Sequence, residues 1–131
     1  TPMTNALKIE TFPYFFAIAK IRNPASINWK SPFVFVGKTD DELSLVALEL
    51  EVPSDAYPVD RGYRMMRVAG TLDMSLTGIL ARISKVLADE EIPIFAVSTY
   101  NTDYILVKSH TFKNAVQALS RAGYLVTNEI S

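Results

Sequence analysis

The chain has no cysteine, and a single histidine and a single tryptophan among its 131 residues. Without cysteine there is neither a disulfide framework nor a thiolate metal site. His110 stands near a helix start with no Cys partner, the usual position of a surface or capping imidazole. Charge of one sign is also lacking. Lys and Arg number 13 against 14 Asp and Glu, so the excess positive field that phosphate backbones require is missing and nucleic acid is excluded as a partner. The few glycines form no phosphate-cradling loop, and no His, Asp and Glu set has metal-ligand spacing, so no cofactor and no metal are expected. No apolar run reaches membrane-spanning length and no signal-peptide pattern opens the chain. These absences predict a soluble, cytoplasmic protein that is not an enzyme and has no membrane partner. Thr1 and Pro2 precede Met3 and are set aside from fold reasoning.

What is present is a globular composition, 49% apolar, enough for one domain or two small ones sharing a core. From Arg64 onward the pattern is periodic. "RMMRVAG" reads as a strand ending at Gly70. "TLDMSLTG" offers capping side chains, and Leu76, Ile79, Leu80, Ile83 and Leu87 then recur on one helical face, predicting a helix over 76–90 that Pro93 cannot continue. "IPIFAVST" and "DYILVK" are too short for helices and rich in β-formers, so they predict a hairpin closed by the polar turn around Tyr100. Ser109 or Thr111 then caps a second helix with Phe112, Ala115, Val116 and Leu119 on its inner face. Gly123 supplies a left-handed C-terminus, and "YLV" resumes as a strand.

The order β-α-β-β-α-β is that of a ferredoxin-like α+β fold. In it the first two strands run in the same direction, so the loop 70–75, the start of the first helix and the turn 99–103 gather at one edge. The helix start offers unpaired N–H groups and partial positive charge for a carboxylate, and Gly78 permits close approach. Asp103, with Thr99 and Asn101, could receive an ammonium group. Such an edge suits an amino-acid zwitterion. Short polar side chains are equally the ordinary furniture of a turn, and Gly78 could be a tolerated helix glycine costing about 1 kcal/mol, so both readings stand.

The first half is less regular. "YFFAIAKI" reads as a strand, residues 24–29 as a turn or short helical segment, and "FVFVGKTDDELSLVALELEV" as a second hairpin that echoes the first. Laying Val36, Leu43, Leu45 and Val46 on Val97, Tyr104, Leu106 and Val107 sets Glu42 opposite Asp103. Pro53 and Pro58 oppose a long helix between 49 and 63. Trp29, Phe33 and Phe35 read as core or interdomain packing. The expected division is an abbreviated unit over 7–60 and a complete one over 61–128.

The stretch "LTGILARISKVLADEEIPIFAVSTYNTDYILVK", with "TDDELSLVA" upstream, resembles the small tandem ACT-domain proteins related to the cytosolic arginine sensors of the TOR pathway. The resemblance runs from about Leu7 to Val126. It implies a regulatory amino-acid-binding fold, with ligand held between paired ACT units by the loop leading into the first helix and by the end of the second strand. On the matching positions, Leu76, Thr77, Gly78 and Ile79 would form the helix-start motif, and Thr99, Tyr100 and Asp103 the strand-end motif, with Asn101 between them. The chain offers two units where the sensors have four, so a homodimer is expected to supply the partner surface. The alternative is a ligand-free dimerisation or protein-interaction module.

Overall fold

The two halves of the chain share a strand succession, and among the described residues the α-helices belong to the second. The computed structural model describes residues 7–69 and 78–129, apart from the side chains of the last two. Within these the chain divides into two compact units: residues 14–63, and residues up to 13 together with those from 64 onward. This differs from the expected 7–60 and 61–128, chiefly because residues 7–13 join the C-terminal unit.

The C-terminal unit comprises β1 (Lys8–Thr11), the second half of β5 (Val59–Ala69), α1 (Ile79–Asp89), β6 (Phe95–Ser98), β7 (Asp103–Lys108), α2 (Ser109–Arg121) and β8 (Leu125–Glu129). From β5 onward this is the expected βαββαβ succession. Its sheet order is β6-β7-β5-β1-β8. The last strand would lie beside the first in a plain ferredoxin-like sheet; here β1 is inserted between them. It runs antiparallel to β5, with Glu10 opposite Arg67, and parallel to β8.

Helix α1 forms because Ile79, Ile83 and Leu87 fall one turn apart on a single face, all buried. They meet Ile9, Met66, Val68, Ile105 and Val107 of the sheet and Ala115 and Leu119 of α2 in one apolar cluster. The helix starts at Ile79; Leu76, expected inside it, lies outside the described residues. It ends where the Ile92 N–H donates to Leu87 O at 2.9 Å, with Glu91 in the left-handed region at φ 59°. Helix α2 begins without the expected Ser109 or Thr111 cap. Lys108 is the N-cap and no side chain caps the helix, while the Thr111 hydroxyl donates back to Lys108 O at 3.0 Å. Its end is as expected: Gly123 takes φ 103° and the Tyr124 N–H donates to Leu119 O at 3.1 Å.

The unit 14–63 comprises β2 (Phe16–Lys20), β3 (Val34–Lys38), β4 (Leu43–Leu48) and the first half of β5. Its order, β3-β4-β2-β5, is the ferredoxin-like second, third, first and fourth strand. Two 3-10 turns, Pro24–Ser26 and Glu49–Glu51, stand where helices would be. Asn23 caps the first, its Oδ1 accepting from the Ala25 N–H at 3.0 Å. Pro53 follows the second too closely for a helix to propagate. Ile21, Ile27, Leu45 and Ala47 form a small core. Phe33 packs edge-on against Phe16 at 5.8 Å, whereas Trp29 is 64% exposed and not the packing residue expected.

The two hairpins repeat, at a register one residue away from that expected. Lys38 pairs with Leu43 and Ser98 with Asp103, so Thr39 overlays Thr99 and Leu43 overlays Asp103. The Thr39 N–H donates to Glu42 O and the Thr99 N–H to Thr102 O, both at 2.9 Å. Burial agrees, running identically along β4 and β7. Glu42 is therefore the counterpart of Thr102, not of Asp103. The hydrophobic match fails by one because both third strands carry runs buried on both faces, which leave alternation no grip on register.

Candidate functional site

The edge expected to hold a ligand is organised by a residue that the sequence reading passed over. Thr102, at the end of the β6–β7 turn, donates its hydroxyl to Val68 O at 2.6 Å, tying the turn to the end of β5. The turn is internally closed as well: the Thr99 hydroxyl donates to Thr102 O at 3.0 Å and accepts from the Thr102 N–H at 3.4 Å. A threonine in a polar turn looks generic; the repeat comparison singles it out, because its counterpart Glu42 lines up only once the turns, rather than the apolar residues, are overlaid.

Asp103 opens β7. The Ser98 hydroxyl, on the facing strand, donates to its Oδ1 at 2.6 Å, which fixes the carboxylate and leaves Oδ2 without a partner among the described residues. Asp103 shares the sheet face of Ile105, the face covered by the helices, because strand side chains alternate. Thr99 and Asn101 are exposed, and Tyr100 is 95% exposed.

Gly78 is not a helix-interior glycine. It is the N-cap of α1 in the left-handed region, with φ 71°, a conformation that costs other residues about 1 kcal/mol or more. Its carbonyl accepts from the Arg82 N–H at 2.9 Å, and a Cβ added to it would stand 3.5 Å from Arg82 Nη1. Among the described residues no side chain caps the helix, and the N–H groups of a helix's first turn are donors suited to an anion. The Ile79 side chain is buried in the core, leaving its backbone as the part that could face a ligand. Leu76 and Thr77 lie outside the described residues. The geometry thus joins the turn 99–102, Asp103 and the end of β5.

Elsewhere in the C-terminal unit, Arg64 donates from Nη2 and Nε to Phe12 O at 2.7 and 3.2 Å and stacks 4.1 Å above Phe112. Arg67 pairs with Glu10 at 2.8 Å. Burial alone would lower the Arg67 pKa, but hydrogen bonding to Tyr104 and Glu10 outweighs it and holds the guanidinium firmly charged. Among the described residues no cluster of three or more His, Asp or Glu could hold a metal, and no helix is long and apolar enough to cross a membrane.

A family model of the ACT domain matches residues 59–121, from the first residue of β5 to the last of α2. No curated protein matches the chain in sequence. A crystal structure of a protein from Agobacterium tumefaciens is similar over 96% of both chains, with 30% identity and a TM-score of 0.86. The ligand-free regulatory subunit of aspartate kinase from Thermus thermophilus is similar at 10% identity and a TM-score of 0.63, over 87% of this chain and 95% of that one. Aspartate kinase of Clostridium acetobutylicum, described as an allosteric enzyme, is similar at 16% identity and a TM-score of 0.68, over 90% of this chain but 35% of the enzyme.

Proposed function

The chain belongs among the ACT-domain proteins through residues 59–121, and from that premise we propose that it is a non-catalytic regulatory protein that binds a small molecule, an amino acid, at the edge where β5 ends and the β6–β7 turn closes. The observation that carries this reading is the Asp103 carboxylate, oriented by Ser98 beside a turn that Thr102 ties to β5. A carboxylate so held is a ready acceptor for an ammonium group. The start of α1 at Gly78, without a side-chain cap among the described residues, offers the complementary N–H donors to a carboxylate. In this reading Leu76, Thr77, Gly78 and Ile79 meet the ligand through the loop and helix backbone, and Thr99, Tyr100 and Asn101 form its rim.

We further propose that residues 14–63 are an abbreviated ACT unit, that the protein works in the cytoplasm as a homodimer, and that the second copy completes the binding edge. Kinship to the arginine sensors of the TOR pathway rests on the sequence motifs quoted above, and arginine is one candidate among the amino acids. A second reading, a ligand-free interaction module, is favoured by one observation: the Thr99 hydroxyl is already satisfied inside its own turn.

Thermal shift with the proteinogenic amino acids, with nucleotides and simple carboxylic acids as anion controls, decides between them. A hundredfold excess over the dissociation constant adds about 2.7 kcal/mol, raising the melting temperature by roughly 10 °C. Asp103→Ala should remove the shift and Asp89→Ala, in an exposed pair with Lys85, should not. No shift with any amino acid would favour the interaction module instead, and a shift that survives Asp103→Ala would move the ligand away from this edge.

A further inference from the structure

Three register positions recur in both units and are filled differently. In the C-terminal unit, Arg67 of β5 lies opposite Glu10 of β1, bonded to it at 2.8 Å, with its guanidinium carbon 6.0 Å from the centre of the Tyr104 ring on β7. Strand β2 is the counterpart of this part of β5, since each is the first strand of its unit and neighbours the third. The sequence of burial is the same along both, buried, buried, half-buried, buried, over residues 16–19 and 65–68. Ile18 therefore takes the place of Arg67. Asp60, opposite Ile18, takes the place of Glu10, and Ser44 takes the place of Tyr104.

The acid is kept while the cation and the aromatic ring are replaced by smaller, uncharged groups. Where they would stand, the unit 14–63 has an open cleft of about 390 Å³ lined by Ile18, Lys20, Glu42, Ser44, Val59 and Asp60, among others. That volume lies in the range of small-molecule sites. Asp60 is oriented by the Tyr63 hydroxyl, which donates to its Oδ2 at 2.7 Å. The Lys20 ammonium and the Glu42 carboxylate border the same cleft and form no ion pair among the described residues.

We propose that this cleft binds a small organic cation that carries a carboxylate. Its ammonium or guanidinium group lies over Ile18 between Asp60 and Ser44, in the position the Arg67 side chain holds in the other unit, and its carboxylate meets Lys20. Glu42 adds a second acceptor for the cation, and Ile18 and Val59 cover the hydrocarbon between the charged ends. The site lies wholly within residues 14–63 and does not depend on the turn 99–102 or on Asp103.

The test is calorimetric titration of the full chain with L-lysine and L-arginine, and with agmatine and propionate as the two halves of such a ligand. Saturable binding of at least one amino acid is expected, with each half about tenfold or more weaker. Asp60→Asn, which keeps an acceptor for Tyr63 but loses the charge, should weaken binding by about tenfold or more. Ile18→Arg returns the residue of the other unit and should abolish binding, with Ser44→Tyr as an independent filling variant and circular dichroism to verify that each is folded. Each titration is run in the Asp103→Ala background, so that an amino acid held at the β5 edge does not enter the isotherm of this cleft. The proposal is overturned if neither amino acid saturates the protein, if propionate binds as well as the whole ligand, or if binding survives Asp60→Asn or both filling variants.

Discussion

The two hairpins of this protein share a frame and differ in what they attach to it. Both turns are closed by a threonine N–H bonding across the loop at 2.9 Å, and both third strands bury the same positions. Beyond the third strand the copies part. After β7 the chain runs into α2, a helix of 13 residues; after β4 it makes one 3-10 turn of 3 residues and reaches Pro53. The turns part as well. Thr39, like its counterpart Thr99, uses its hydroxyl within its own turn, accepting from the Asp41 and Glu42 N–H groups at 3.1 and 3.2 Å, but Thr102 anchors its turn to Val68 while Glu42, in the equivalent place, forms no side-chain hydrogen bond among the described residues. The hairpin is thus the conserved device of the internal repeat, and the helices are additions the strand order does not require.

The largest test of that view lies in the cores. Ile105 and Leu45 occupy equivalent places and are each 1% exposed, but Ile105 packs under two helices and Leu45 under loops. Ile105→Ala should cost about 4 kcal/mol and Leu45→Ala about 2 to 3, because loops collapse onto a cavity more readily than helices do. Urea denaturation measures both. Equal costs would mean that the helices add no rigidity to the core they cover.

Next in size is the anchor. Thr102→Val keeps the shape of the side chain, removes the donor to Val68 O and should cost about 1 to 2 kcal/mol. Glu42→Gln, at the equivalent position of the other turn, should stay within about 0.5 kcal/mol. The same denaturation curves decide whether the turns differ in tethering.

A matching pair sits at the helix ends. Glu91 and Gly123 hold the same left-handed place after α1 and α2, at φ 59° and 103°. Glu91→Gly should stabilise by about 0.5 to 1 kcal/mol and Gly123→Ala should destabilise by about 1, seen as opposite shifts of the melting temperature.

The smallest effect concerns Tyr63. Burial first, then its hydrogen bond to Asp60, pushes its pKa up from 10.0 to about 12. The fold favours the protonated phenol, so its contribution to stability is complete below pH 10 and is lost as pH rises through about 12. Ultraviolet titration should show one tyrosine ionising late, and Tyr63→Phe should remove that step alone.

Much of the C-terminal unit was legible because its helices are long enough for Ile79, Ile83 and Leu87 to declare a period, and because Gly123 and Pro93 mark ends by backbone chemistry. Strand β1 was not. Four residues, Lys-Ile-Glu-Thr, carry too little pattern to name a partner, and local sequence cannot tell insertion into a distant sheet from continuation of a near one. Asp103 was visible as an acid at a strand end, and its Ser98 partner follows from the hairpin register. Thr102 was invisible, since what distinguishes it is a carbonyl on another strand. Gly78 was noticed for its cost inside a helix, but its actual reason is a left-handed N-cap, a property of one dihedral angle.

The insertion of β1 also orders events in time. The Thr11 hydroxyl donates to Thr127 O at 3.1 Å across 116 positions of chain, and β1 pairs in parallel with β8. On the ribosome, β1 emerges long before either of its neighbours, while residues 14–63 have all their strand partners close behind them. The abbreviated unit is therefore free to close first by local contacts, and the C-terminal sheet stays open until its last strand is translated. A nascent chain stalled after α2 should accordingly protect 14–63 from proteolysis while leaving β1 cleavable.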